Sequence, residues 1–143
     1  MANCVCEVLV TESALQTPRQ DADVSAGAVV DFWGIVRKLE DNREIEGIDY
    51  ESNRPMAEHQ MRLIADAALE EFELKQVALH HRIGFVGAGE ASLFLRVAAS
   101  HRGAAFDASK WIVDELKKKV PIWKKARFET PSHIGKRETV TAK

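Results

Sequence analysis

Cysteine is nearly missing from this 143-residue chain, with Cys4 and Cys6 the whole supply. At i and i+2 of a strand the two share a side without being able to bond comfortably, which leaves them as buried thiols rather than a disulfide. A chain of this length can bury a core as one domain, 1–143, with no covalent staple. Also lacking is any apolar run near the ~20 residues that cross a bilayer, and the start, MANCVCEVLV, has no basic region ahead of its apolar stretch. The expectation is a cytoplasmic protein with no membrane association. No GxGxxG or GxxxxGK follows a strand, which counts against a nucleotide-binding α/β fold. No HExxH or comparable spacing links the five histidines, so neither a metal nor a cofactor is expected. No serine or cysteine has an evident base beside it, and no paired-carboxylate signature is present.

What the chain does have is charge sorted along its length. Residues from Arg96 onward hold 12 of the 20 Lys and Arg but only 5 of the 22 acids. A protein of net charge −2 that gathers its cations in its last third has built a local attractor for an anion. Nucleic acid is the obvious competitor as a partner. Trp111 and Trp123, however, are interleaved with core-type residues instead of spread over a basic surface as stacking platforms, so no nucleic acid is expected.

Residues 4–10 read as a strand, and GAVVDFWGIVR at 27–37 as another, with Gly34 marking a bulge and Arg37 at its end. KLEDNRE, lacking apolar periodicity, reads as a mobile surface loop. Ile48 and Tyr50 alternate with acids in a further strand that breaks at Asn53 and Pro55. From Met56 the period changes, and Ala57, Met61, Ile64, Ala65 and Ala68 form one stripe of a helix. Val77, Leu79 and His81 alternate as a strand, Gly84, Gly87 and Gly89 mark a turn, and Ala91 to Ala99 is the clearest strand of all. Neighbouring strands, two helices and short connections predict an α+β fold with a largely antiparallel sheet.

The stretch HRGAAFDASKWIVDELKKKVPIWKK, 101–125, carries the chemistry. Ala105, Ala108, Ile112 and Leu116 recur on one helical face, and Lys117 falls at its edge. Pro121 stops the helix near Lys119 and turns the chain, carrying Lys124 and Lys125 back beside Lys117. A lysine run at a helix C-terminus is commonly a solvated face that favours the macrodipole. Crowded ammonium groups also make a neutral, nucleophilic or proton-accepting amine more available, which gives Lys117 a chemical reading of its own. His101 and Arg102 lie between a strand end and a helix start, where an imidazole, a guanidinium and free amides would suit phosphate. Each could equally be structural, Arg102 as a partner of Asp107. From 126 to 143 apolar residues are few, and a loosely ordered tail is expected.

Together GAVVDFWGIVR at 27–37, YESNRPMAE at 50–58, HHRIGFVGAGEASLFLRVAASHRGAAFDA at 80–108 and DELKKKVPIWKK at 114–125 resemble the large, catalytic subunit of molybdopterin synthase, in order and at that family's spacing. The resemblance implies an α/β hammerhead fold and a homodimer at the centre of a heterotetramer. It further implies a small ubiquitin-like sulfur-carrier subunit at each end, whose C-terminal Gly-Gly bears a thiocarboxylate. The implied activity is a sulfurtransferase reaction of molybdenum cofactor biosynthesis: two sulfurs pass to cyclic pyranopterin monophosphate, making the dithiolene of molybdopterin.

By the same resemblance Lys117 is the essential lysine, as acid-base group or nucleophile toward the acyl tail, with Lys124 its companion. Arg37, His101 and Arg102 match phosphate and pterin contacts shared across the dimer interface, and Phe32 matches a pocket-lining aromatic. Ile35, Val36, Lys125 and Ala126 complete the expected substrate-binding set. The family usually has a glutamate directly after the WKK segment, where this chain has Ala126, and a tryptophan in the tail that this chain lacks. An acid among these lysines would orient them. The alternative expectation is therefore a non-catalytic homologue that binds the small subunit or a phosphorylated pterin without turnover.

Overall fold

Strand β7 (Ala91–Ala99) is the centre of the molecule and is buried along nearly its whole length. In this computed structural model residues 6–19 and 23–129 are described, so Cys4 and the segment from 130 onward lie outside the described residues. β7 pairs on one side with β5 (Gln76–Arg82) and on the other with β2 (Ala28–Ile35), both antiparallel. β1 (Cys6–Thr11) completes this sheet by pairing parallel to β5. Two helices, α1 (Arg54–Glu71) and α2 (Arg102–Lys119), cover one face. Met61, Ile64, Ala65 and Ala68 of α1 and Ala105, Ala108, Ile112 and Leu116 of α2 close on Val10, Val77, Leu79, Leu95 and Val97. The periodicities read from the sequence thus become the two halves of one core.

The opposite face of that sheet is polar yet largely buried. Phe94 stacks at a tilt on Trp33, with ring centroids 4.5 Å apart. Beside it Arg96 Nε and Nη2 donate to both oxygens of Asp31, at 2.7 and 2.8 Å, and Nη1 donates to the carbonyl of Arg19 at 2.7 Å.

A second sheet is built on β4 (Arg43–Ser52), which pairs antiparallel with β6 (Gly84–Gly87) and with β8 (Ile122–Phe128). β3 (Leu39–Glu40) folds back onto its start. Ile45, Ile48, Val86 and Val36 form a small second core, with Tyr50, Ala126 and Phe128 against it. Gly47 is required at the centre of β4, because a Cβ there would stand 2.2 Å from the carbonyl oxygen of Val86 and 2.8 Å from Gly87 Cα.

The α+β class holds, and Gly34 does mark a register shift, between Gly34 and Ile35. Three local expectations are corrected. KLEDNRE is a tight hairpin and not a mobile loop: Asp41 and Asn42 take φ of 54° and 63°, the left-handed pair that a two-residue hairpin turn needs. The glycines at 84–89 contain strand β6, with the turn confined to residues 88 and 89. Residues 126–128 belong to β8, fixed by the ladder to β4, so the expected loose tail does not begin at 126.

Helix boundaries follow their caps. Asn53 accepts a bond from the Met56 amide, and Pro55 lies in the first turn of α1. α2 ends at Lys119 ahead of Pro121, with Lys117, Lys118 and Lys119 in its last turn, where cations favour the dipole. No helix among the described residues is long and apolar enough to cross a membrane.

Candidate functional site

The end of β2, the last turns of α2 and the inner face of the β4–β8 pair leave a cavity of about 520 Å³ between them. Phe32, Ile35, Val36 and Arg37 enter it from β2 and the residues after it, and Lys117 and Lys124 from the opposite side. α2 packs Leu116 into the main core, so the next residue emerges at the rim; Lys117 is exposed there. Lys124 reaches the same space because Pro121 reverses the chain into β8. Its cross-strand partner is Tyr50, which places both side chains on the cavity face of the pair.

Charge in this cavity is unbalanced. Lys118 and Lys119 are held by Glu115, at 3.6 and 2.7 Å, and these bonds draw the Glu115 carboxyl below the usual range. Lys117, Lys124 and Arg37 make no ion pair among the described residues, and of the residues lining the cavity only Glu40 is an acid. Three unpaired cations facing one carboxylate in a partly enclosed space make a site for an anion with more than one negative group.

Not every expected residue is here. Lys125 points to the other face of β8, opposite Asp49, and Ala126 faces Ile48 and packs on the small core. A glutamate in place of Ala126 would emerge against that apolar cluster. His101 caps α2 without a side-chain cap bond, and Arg102 follows it, both exposed. From there to Lys117 is about 24 Å along the helix at 1.5 Å per residue. Within one chain they cannot share the cavity.

Three titratable residues of the cavity lining are not among the site residues expected from the sequence: Glu40, Tyr50 and His81. For His81 a signal existed, since it continues the core-facing alternation of Val77 and Leu79 to the very end of β5. A histidine in that position is buried next to whatever the sheet end borders. Glu40 became legible only with the Asp41-Asn42 turn, which folds it over the cavity.

Comparison with known proteins places this geometry. The family model of the MoaE protein matches residues 7–119. The molybdopterin synthase catalytic subunit of Thermoplasma volcanium is 40% identical over 104 residues, which cover 73% of this chain and 76% of that one. The human molybdopterin synthase catalytic subunit is 37% identical over 106 residues; the match covers 74% of this chain and just 56% of the human protein. Among solved structures, molybdopterin synthase from Staphylococcus aureus superposes with a TM-score of 0.79 at 30% identity, over 84% of this chain and 90% of that one. A Helicobacter pylori chain, solved as a complex of subunits 1 and 2 of molybdopterin-converting factor, shares the fold at 21% identity and a TM-score of 0.63, over 87% and 90% of the two chains. The chain belongs to the MoaE family, that of the molybdopterin synthase catalytic subunits.

Proposed function

We propose that this chain is the sulfur-transferring subunit of a molybdopterin synthase. It takes sulfur from the C-terminal thiocarboxylate of a small ubiquitin-like partner and delivers two atoms to cyclic pyranopterin monophosphate. The observation that carries this is the cavity with Lys117, Lys124 and Arg37 unpaired, since both reactants are anions. A guanidinium suits the phosphate, which it can hold through two parallel bonds. Ammonium groups suit the acyl end, where the carbonyl oxygen gains charge as its carbon becomes tetrahedral.

His101 and Arg102 join this site if a second copy supplies them. β2 is an edge strand, paired on one side with β7, and its other edge is open among the described residues. Two such edges related by a two-fold axis run antiparallel, so the start of one β2 adjoins the end of the other. His101 follows the β7 end that pairs with the start of β2, and Arg37 follows the end of β2. The pairing therefore brings the partner's His101 and Arg102 toward the Arg37 end of the cavity, which supports a homodimer with two shared sites.

The test is a single turnover: this protein is mixed with thiocarboxylated small subunit and cyclic pyranopterin monophosphate, and molybdopterin is measured. Product is the expected result. Tight binding of both reactants without product would make the chain a docking homologue, and binding of neither would remove the proposal.

A further inference from the structure

β5 sends two adjacent histidines to opposite faces of the first sheet. His80 is structural: its Nε2 lies 2.7 Å from the Glu7 carboxylate, beside Phe94. His81 is different. It is 7% exposed and forms part of the cavity wall, with the Tyr50 ring edge-on at 5.3 Å between centroids.

The ring's proton can be placed by elimination. His81 Nδ1 is 2.8 Å from the carbonyl oxygen of Arg82. A carbonyl only accepts, so Nδ1 carries the hydrogen, and the neutral ring keeps a bare lone pair on Nε2. No described side chain donates to that nitrogen. Burial pushes the imidazole below the usual histidine range, with the Arg82 carbonyl pulling weakly the other way. Lys117 from α2, Lys124 from β8 and Arg37 after β2 line the same cavity as His81, together with Glu40 from β3 and Tyr50 from β4. An unprotonated nitrogen is thus held inside a cation-lined cavity.

We propose that His81 is a catalytic base of this site, its Nε2 taking a proton from the water that frees the small subunit after sulfur transfer. This rests on the sulfur-transfer reading above. When the thiocarboxylate sulfur bonds to a substrate carbon and an oxygen on that carbon leaves with its electron pair, the small subunit is left joined to the substrate through an acyl–sulfur bond. Water must cleave it: the water oxygen bonds to the acyl carbon, one proton passes to Nε2, and the carbon–sulfur bond breaks. The electron pair leaves on sulfur, and the imidazolium returns its proton to that thiolate. The small subunit departs as a carboxylate and releases its remaining proton to solvent. No oxidant or reductant is involved.

His81→Asn keeps an amide donor for the Arg82 carbonyl while removing the base, and His81→Gln is the second variant should the first misfold. In a single turnover followed by intact-mass spectrometry of the small subunit, wild type should pass from thiocarboxylate to carboxylate with little adduct. His81→Asn should form the substrate adduct at the normal rate and then release it about 100-fold more slowly. Wild-type release should also slow at acid pH as His81 protonates, and the variant should lose that limb. Nitrogen-15 spectra of the wild-type protein should show Nδ1 protonated and Nε2 bare at neutral pH.

Release by both variants at the wild-type rate, an unchanged acid limb, or a protonated Nε2 would each overturn the assignment. Failure of the underlying function looks different: wild type would leave the thiocarboxylate intact, with no adduct and no carboxylate, and the base would fall with it.

Discussion

Tyr50 and Lys124 are directly opposed across the antiparallel β4–β8 pair, and both side chains line the cavity. The Tyr50 ring thus neighbours Lys124 across the strand pair and packs near-perpendicular to the His81 ring, 5.3 Å between centroids. The Tyr50 hydroxyl makes no hydrogen bond among the described residues, so the expected contribution is shape. Tyr50→Phe should leave turnover within about twofold of wild type. Tyr50→Ala removes a half-buried ring from the small core and should cost about 1–3 kcal/mol of stability in urea unfolding. It should also lower turnover about 10-fold as Lys124 loses its support. Equal loss in the two variants would show that the hydroxyl is used.

Three consecutive lysines end α2, and the fold separates them. Lys118 and Lys119 turn to Glu115, whereas Lys117 faces the cavity. Lys117→Ala should reduce turnover by roughly 100- to 10,000-fold, the range for removing one acid-base or covalent group. Lys118→Ala and Lys119→Ala should stay near wild type. All three residues are exposed, so melting temperatures should barely move. Comparable loss of activity in all three would indicate general attraction of anions by the helix end.

How far the sequence reveals this arrangement depends on the range of the interactions concerned. β7, α1 and α2 were legible because their apolar residues recur at periods of two or near 3.6, and those periods are what the core selects. The hairpin at Asp41-Asn42 was hidden because its signal is two consecutive left-handed residues, and the polar KLEDNRE segment reads as loop by composition. Ala126 enters the expected set through the family resemblance, and alternation along β8 does put it on the face of Lys124; two residues further along, however, that face has left the cavity and meets the small core beside Ile48. The separation of His101 and Arg102 from Lys117 follows from helix length alone. The proposed meeting through another copy rests on an open sheet edge, which one chain's sequence does not display.

The buried guanidinium on the far face of the first sheet is a structural matter, distant from the cavity. Arg96 is 5% exposed and its paired carboxylate, Asp31, is partly open to solvent. Asp31→Ala would leave the guanidinium buried over the Phe94 ring with the Arg19 carbonyl as its remaining hydrogen-bond partner. About 2–4 kcal/mol should be lost in chemical unfolding, and Asp31→Asn should lose nearly as much because the charge is what matters. If Asp31→Ala unfolds at the wild-type midpoint, Arg96 has found water in place of its acid.

Stability should fall in acid in two stages. His81 in the folded protein protonates below its ordinary value of 6.5, so on lowering pH through that value the unfolded chain takes up a proton that the folded one refuses. Folding is therefore weakened as pH drops from about 7 to 5. The carboxyls of Asp114 and Glu115, drawn down by Lys110 and Lys119, act later: their stabilisation is present above about pH 4 and is lost below it. His81→Asn should flatten the first stage of a pH series of unfolding midpoints and leave the second. A first stage that persists in the variant would assign it to another group.

The shared-site geometry makes the most demanding prediction. In a dimer built through β2, each cavity combines Lys117 of one protomer with His101 and Arg102 of the other. Lys117→Ala and Arg102→Ala homodimers should both be inactive. When the two are unfolded together and refolded as a mixture, the hybrid dimer has one cavity with both lesions and one with neither. Each hybrid should thus regain about half of the wild-type activity per dimer, and a random mixture, half of it hybrid, about a quarter. If each cavity were completed within its own chain, every cavity in the hybrid would carry one lesion and the mixture would stay inactive. Recovery of activity by mixing two dead proteins therefore separates the two arrangements without reference to any structure of the dimer.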